Sequence, residues 1–127
     1  MFRTTLTLTL LLSFCQGDQS VSGYAPGIWE LVEMDGVTFA GAATLDLTQD
    51  GHLTGQAPCN NYSATQSAPY PWFDAGPIIA TRRACPELDL ETGFFAALAD
   101  MTLAEVSGPL LLLNNTDGRA MLFQLAD

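Results

Sequence analysis

Three Asp-Gly pairs, Asp35-Gly36, Asp50-Gly51 and Asp117-Gly118, lie between short runs that alternate in polarity or are rich in β-formers. Such a pair suits turn positions that need positive φ, so each one marks a tight hairpin and commits its flanks to antiparallel pairing. In "TLDLT", Leu45 and Leu47 alternate with Thr44, Asp46 and Thr48, giving one buried and one wet face. "WELVEM" sets Trp29 and Leu31 on one side and Val32 and Met34 on the other, as expected of a strand covered more completely. "PLLLL" and "RAMLFQL" flank the last Asp-Gly pair as a closing hairpin, with Leu110 to Leu113 expected to be buried on both faces, and "PIIAT" adds a further strand. Helical spacing occurs in one segment, where Leu90, Phe94, Leu98 and Met101 form a stripe broadened by Phe95 and Ala97, with Asp89 placed as N-cap. Gly93 costs that helix about 1 kcal/mol relative to alanine, so packing on the sheet must hold it. The expected fold is α+β: a curved, half-barrel-like antiparallel sheet of about seven or eight short strands packed on one main helix.

A chain of 127 residues supports one compact core. Its start, "MFRTTLTLTLLLSFCQG", sets Arg3 ahead of an apolar run from Leu6 to Phe14, which suits a signal peptide over 1–14 and is too short to cross a bilayer as a helix. The end of the run, "LLSFC", resembles the lipobox of bacterial lipoproteins, in which the cysteine is acylated and becomes the new N-terminus. Cys15 is that residue; Leu12 and Ser13 fit, and Phe14 stands where a small residue is usual. The expected location is the periplasmic side of a bacterial membrane, held by a lipid anchor, the alternative being a soluble periplasmic or secreted product that has lost Cys15. Residues 15–26 are polar, small and breaker-rich and read as a flexible tether, leaving 27–127 as the domain.

From Cys15 onward there is no lysine, and three arginines stand against fourteen carboxylates, a formal charge of −11. Nothing in that set could neutralise a run of phosphates, so nucleic acid is excluded as a partner, and the acidity reads as solubility outside the cytoplasm.

The stretch "APCNNYSAT" poses the question of Cys59. With Cys15 lipidated, Cys59 and Cys85 remain as an even pair in an oxidising compartment, and a disulfide between them is the economical expectation. Closing that loop contributes roughly 3 to 4 kcal/mol by loop entropy. The rival reading is a hydrolase or thiol-redox enzyme with Cys59 as nucleophile, His52, the sole histidine, as base, and Asp50 or Asp74 as the acid. Two cysteines and one histidine so far apart match no short metal-ligand spacing, so neither a metal nor another cofactor is expected.

Four segments, "GIWELVEMDG", "GHLTGQAPCNNYSAT", "IIATRRACPELDLETGFFAAL" and "GPLLLLNNTDGRAMLF", together resemble the META domain, the HslJ-like domain of exported bacterial proteins. The most specific pieces are Gly55, Cys59, Asn60 and Tyr62 in one block and Ala80 to Cys85 in another. The resemblance implies a twisted sheet on a helix and a loose link to heat shock, antibiotic resistance and envelope upkeep, with no catalytic chemistry to carry over. Asn60 and Thr81 are expected to satisfy backbone groups at an irregular turn. Arg82 is expected to pair with a carboxylate or with the Asn60 loop; exposed in a groove, it becomes an anion contact. Tyr70, Trp72 and Phe73 lie among Pro69, Pro71 and Pro77 and form an edge strand or aromatic loop, either closing the open end of the sheet or offering a surface to a protein or lipid. The function expected is a non-enzymatic envelope lipoprotein acting in envelope maintenance or stress tolerance, its partner an envelope protein or a small apolar ligand beneath the helix.

Overall fold

The computed structural model describes residues 17–126. Nine strands form one antiparallel sheet: β1 (Ile28–Met34), β2 (Val37–Thr38), β3 (Thr44–Asp46), β4 (His52–Gln56), β5 (Asn61–Thr65), β6 (Ile79–Ala80), β7 (Leu103–Ser107), β8 (Leu110–Asn114) and β9 (Ala120–Leu125). Two helices accompany them, α1 (Val21–Tyr24) and α2 (Leu88–Asp100). The order across the sheet is β6-β5-β4-β3-β1-β9-β8-β7, with β2 paired to β1, so the sheet is open, with β6 and β7 at its ends. This is the α+β architecture expected, with two strands of only two residues accounting for the higher count.

The three Asp-Gly pairs all serve as turns, but differently. Asp35 (φ 55°) and Gly36 (φ 82°) make the tight link between paired Met34 and Val37. Gly51 (φ 73°) and Gly118 (φ 90°) sit in longer loops. In the second loop the Asn115 side chain accepts from the Asp117 and Arg119 N–H groups, 3.0 Å each. A further hairpin, unmarked by Asp-Gly, turns through Gly108 (φ 57°) and Pro109 between paired Ser107 and Leu110.

Trp29, Leu45, Leu53, Phe94, Leu98, Leu111, Leu113 and Phe123 are fully buried and set α2 against the sheet. The register of β1 against β9 shifts between Leu31 and Glu33, so Trp29 and Leu31 are buried while Val32 to Met34 are half-buried. On β8 the expected burial on both faces is not found: Leu111 and Leu113 are fully buried, while on the opposite face Leu112 is half-buried and Leu110 is 42% exposed beside the turn. The cap of α2 is Glu87 rather than Asp89, which lies in the first turn, and no side chain caps the helix.

Cys15, expected to carry the lipid, and residues 1–14, expected to be a signal peptide, lie outside the described residues. Within 15–26, the part from Asp18 onward is not a tether. Val21 and Ala25 are buried in the core cluster, and the indole N–H of Trp29 donates to the Ala25 carbonyl at 2.9 Å. Small polar residues read as a linker in sequence, yet here Asp18, Ser20 and Ser22 bond one another and close the segment into α1.

Candidate functional site

The β4–β5 turn carries the cysteine. Cys59 is bonded to Cys85, 26 positions later, with Cα atoms 5.8 Å apart. That bridge ties the turn to the segment between β6 and α2. Glu91, only 4% exposed, reaches from the first turns of α2 and fills the corner. Its Oε1 accepts the backbone N–H groups of Cys59 (2.9 Å) and Asn60 (2.8 Å), and its Oε2 accepts the Asn60 side-chain amide (2.6 Å). Asn60 Nδ2 also donates to the Arg83 carbonyl at 3.0 Å, and Oδ1 accepts from the Thr81 hydroxyl (2.9 Å) and the Arg83 N–H (2.6 Å). Buried polar atoms are tolerated when each has a partner, and these do. Asn60 and Thr81 therefore hold the backbone, as expected.

Gly55 and Tyr62 face each other across β4 and β5. A Cβ on Gly55 would stand 2.2 Å from the Thr44 carbonyl oxygen and 2.9 Å from the Tyr62 ring, so only glycine admits this approach. The Tyr62 hydroxyl donates to that same carbonyl at 2.7 Å, and its ring meets Phe94 and Phe95 edge-on. Burial, followed by the nearby charge of Asp46, pushes the phenol far above its usual range, so it stays a protonated donor.

A pocket of about 380 Å³ opens on the outer side of this corner. Its walls include Ile78, Thr81, Leu88, Phe95 and both Arg82 and Arg83. The carboxylate or Asn60-loop pairing expected of Arg82 is not found. Arg82 is exposed, and the ion pairs among the described residues belong to Arg119, at 2.8 Å from Asp35 and 3.0 Å from Asp100. The physical reason is local: the Arg83 backbone takes up the Asn60 amide, so the segment is anchored through main chain and both arginine side chains are released outward.

The rival catalytic set is not assembled. The sulfur of Cys59 is committed to Cys85, and His52 stands at the far end of β4 with Nδ1 2.8 Å from the carbonyl of Asp50 in its own turn. Asp50 is exposed in that same turn, and Asp74 is exposed elsewhere in the chain.

The aromatic stretch divides. Phe73 is core at 2% exposure, which removes it from any binding surface. Tyr70 is half-buried, its hydroxyl accepting the Val106 N–H at 3.0 Å. Trp72 pairs through its backbone with Leu103 on β7, yet its side chain leaves the residue 56% exposed. The sequence reading missed Glu91, Arg83 and Leu88. The signal for Glu91 was an acid three residues before Phe94, inside the apolar stripe of α2.

The META domain family model matches residues 23–127. No curated protein matches the chain. Two solved structures share the fold. A protein from Burkholderia xenovorans, determined by NMR, aligns with a TM-score of 0.67 at 19% identity, covering 99% of each chain. A DUF4847 family protein from Bacteroides vulgatus aligns with a TM-score of 0.66 at 14% identity, covering 82% of this chain and 96% of its own.

Proposed function

This chain belongs to the META domain family, and from that premise we propose that it is a non-enzymatic envelope lipoprotein, anchored through Cys15, whose domain binds a partner carrying an anionic group on an apolar body. The observation that carries the binding claim is the pair Arg82 and Arg83. They are the domain's two arginines without a carboxylate partner among the described residues, and both line one pocket. In a domain with so large an excess of carboxylates, an anion is repelled over most of the surface and attracted here. Two guanidinium forks suit a carboxylate or phosphate, while Ile78, Leu88 and Phe95 suit the apolar remainder. The Glu91 carboxylate in the same wall is already engaged by three donors and is held in the corner. Such binding fits envelope maintenance or tolerance of stress and antibiotics. A Cys59 hydrolase is disfavoured because its nucleophile is bonded and its base stands elsewhere.

The test uses N-acetyl-leucyl-phenylalanine and its C-terminal amide as probes in an NMR titration. The free acid is expected to shift the resonances of Thr81 to Ala84 and Leu88 and to bind about tenfold more tightly than the amide. Arg82→Ala with Arg83→Ala should abolish that preference at unchanged Tm. Equal affinity for acid and amide, or a preference that survives in the double variant, would sink the reading.

A further inference from the structure

We infer that the aromatic corner formed by Tyr24, Tyr70 and Trp72 rests on the bilayer that carries the Cys15 acyl chains. This rests on the lipid-anchor half of the proposed function and adds an orientation to it. From Cys15 to Asp18 there are three peptide steps, which reach about 11 Å at full extension. The slack ends at Asp18. Its carboxylate accepts the Ser20 N–H (2.9 Å), the Ser20 hydroxyl (2.6 Å) and the Ser22 hydroxyl (2.5 Å). A Cβ on Gly23 would lie 2.1 Å from the Asp18 carbonyl oxygen, so the chain is folded tightly back on α1. The next carbonyl, of Gln19, accepts the Tyr70 N–H at 2.7 Å. An acylated Cys15 therefore keeps Asp18 within about 11 Å of the anchor, close enough for the Tyr70 loop to reach the interfacial layer of that leaflet, which is about 6 Å thick.

The side chains exposed at that point suit the place. Tyr24 is 50% exposed and stacks on Tyr70 with ring centroids 4.5 Å apart, and Trp72 is 56% exposed two residues further along. Tyrosine and tryptophan favour the boundary between hydrocarbon and water, where an apolar ring and a polar tip are both satisfied. Neither 16–29 nor 66–77 contains a basic residue, while Asp18 and Asp74 flank the corner. The contact is thus aromatic rather than electrostatic and suits zwitterionic headgroups.

The chain has two tryptophans, and Trp29 is 2% exposed, so Trp72 reports on the surface. With Cys59 and Cys85 bonded, Cys15 of the mature chain couples selectively to a maleimide lipid in phosphatidylcholine vesicles. Emission from Trp72 should shift to the blue and be quenched by bromine placed high on the acyl chains, several-fold more than in the Trp72→Phe variant. A spacer of about twelve glycine and serine residues after Gly17, with an r.m.s. span of about 20 Å, should remove most of that quenching. Fatty-acid labelling of Cys15 in cells tests the anchor separately. Labelled protein with unquenched Trp72 overturns the orientation and leaves the anchor standing; unlabelled Cys15 overturns both. Trp72 shielded by a co-purifying protein and not by lipid also overturns the orientation.

Discussion

The side-chain amide of Asn60 donates to Glu91 Oε2 over 2.6 Å, joining a turn residue to a helix residue 31 positions later. Glu91 accepts two backbone N–H groups of the same turn besides. Removing the carboxylate leaves three donors in a buried corner without acceptors, and hydrogen bonds to charged groups contribute about 1.5–3 kcal/mol each. Glu91→Ala is expected to cost about 3 kcal/mol and lower Tm by about 10 °C. Glu91→Gln, which keeps one carbonyl acceptor, should cost less. Urea unfolding of the two variants decides it, and equal stability of Glu91→Ala and wild type would remove the corner from the structural account.

The disulfide acts on the same corner through the unfolded chain. Cys59→Ser combined with Cys85→Ser should lower stability by about 3–4 kcal/mol, the loop-closure value for a loop of this size. Dithiothreitol should do the same to the wild type. Thiol titration of unfolded, unreduced mature protein should find neither cysteine reactive; two reactive thiols would restore Cys59 as a candidate nucleophile.

Arg119 ties two carboxylates together, and acid should loosen that tie. The hydrogen bond from Arg119, then the one from the Ala120 N–H, holds the Asp35 carboxyl below its ordinary value of 3.8. A depressed folded value means that the stabilisation is present above pH 4 and is lost as pH falls through the folded value. The Asp35 side chain is 41% exposed and screened by solvent, so the gain stays below about 1 kcal/mol. Asp18 behaves in the same direction: burial opposes ionisation, but the Ser20 and Ser22 hydroxyls and the Ser20 and Gly51 N–H groups outweigh it. Stability of Asp35→Asn measured between pH 6 and pH 2, about the window in which such groups titrate, should fall less steeply than wild type. An identical slope would show that Asp35 contributes nothing.

Much of this was written in local signals. Alternation in "TLDLT", the Asp-Gly pairs and the stripe from Leu90 to Leu98 each depend on neighbours in sequence, and each led to the right element. The disulfide followed from counting cysteines once Cys15 was set aside for lipid, together with an oxidising compartment. What escaped depended on partners distant in sequence. Glu91 drew no expectation, because its partners lie in the turn around Asn60, 31 positions away. Arg82 was expected to pair with a carboxylate or with the Asn60 loop, and the Arg83 backbone that occupies the Asn60 amide is invisible in composition. The polar segment 17–26 carried linker chemistry, and only the meeting of Gln19 with Tyr70 and of Ala25 with Trp29 makes it part of the core.

That last point has a direct consequence for where the domain begins. A chain starting at Gly27, the boundary suggested by composition, lacks the buried side chains of Val21 and Ala25 and orphans the Trp29 indole N–H. Exposing the site of a buried valine costs about 1.5–3 kcal/mol, and an unpartnered buried donor adds about 1–3 kcal/mol. The loss of the Gln19 carbonyl also frees the Tyr70 N–H and loosens the Trp72 loop. The shortened chain should therefore lose about 3–5 kcal/mol relative to one starting at Cys15, with faster amide exchange at Trp29 and Tyr70. Equal Tm values for the two chains, with unchanged exchange at those amides, would show that the segment before Gly27 is a tether after all.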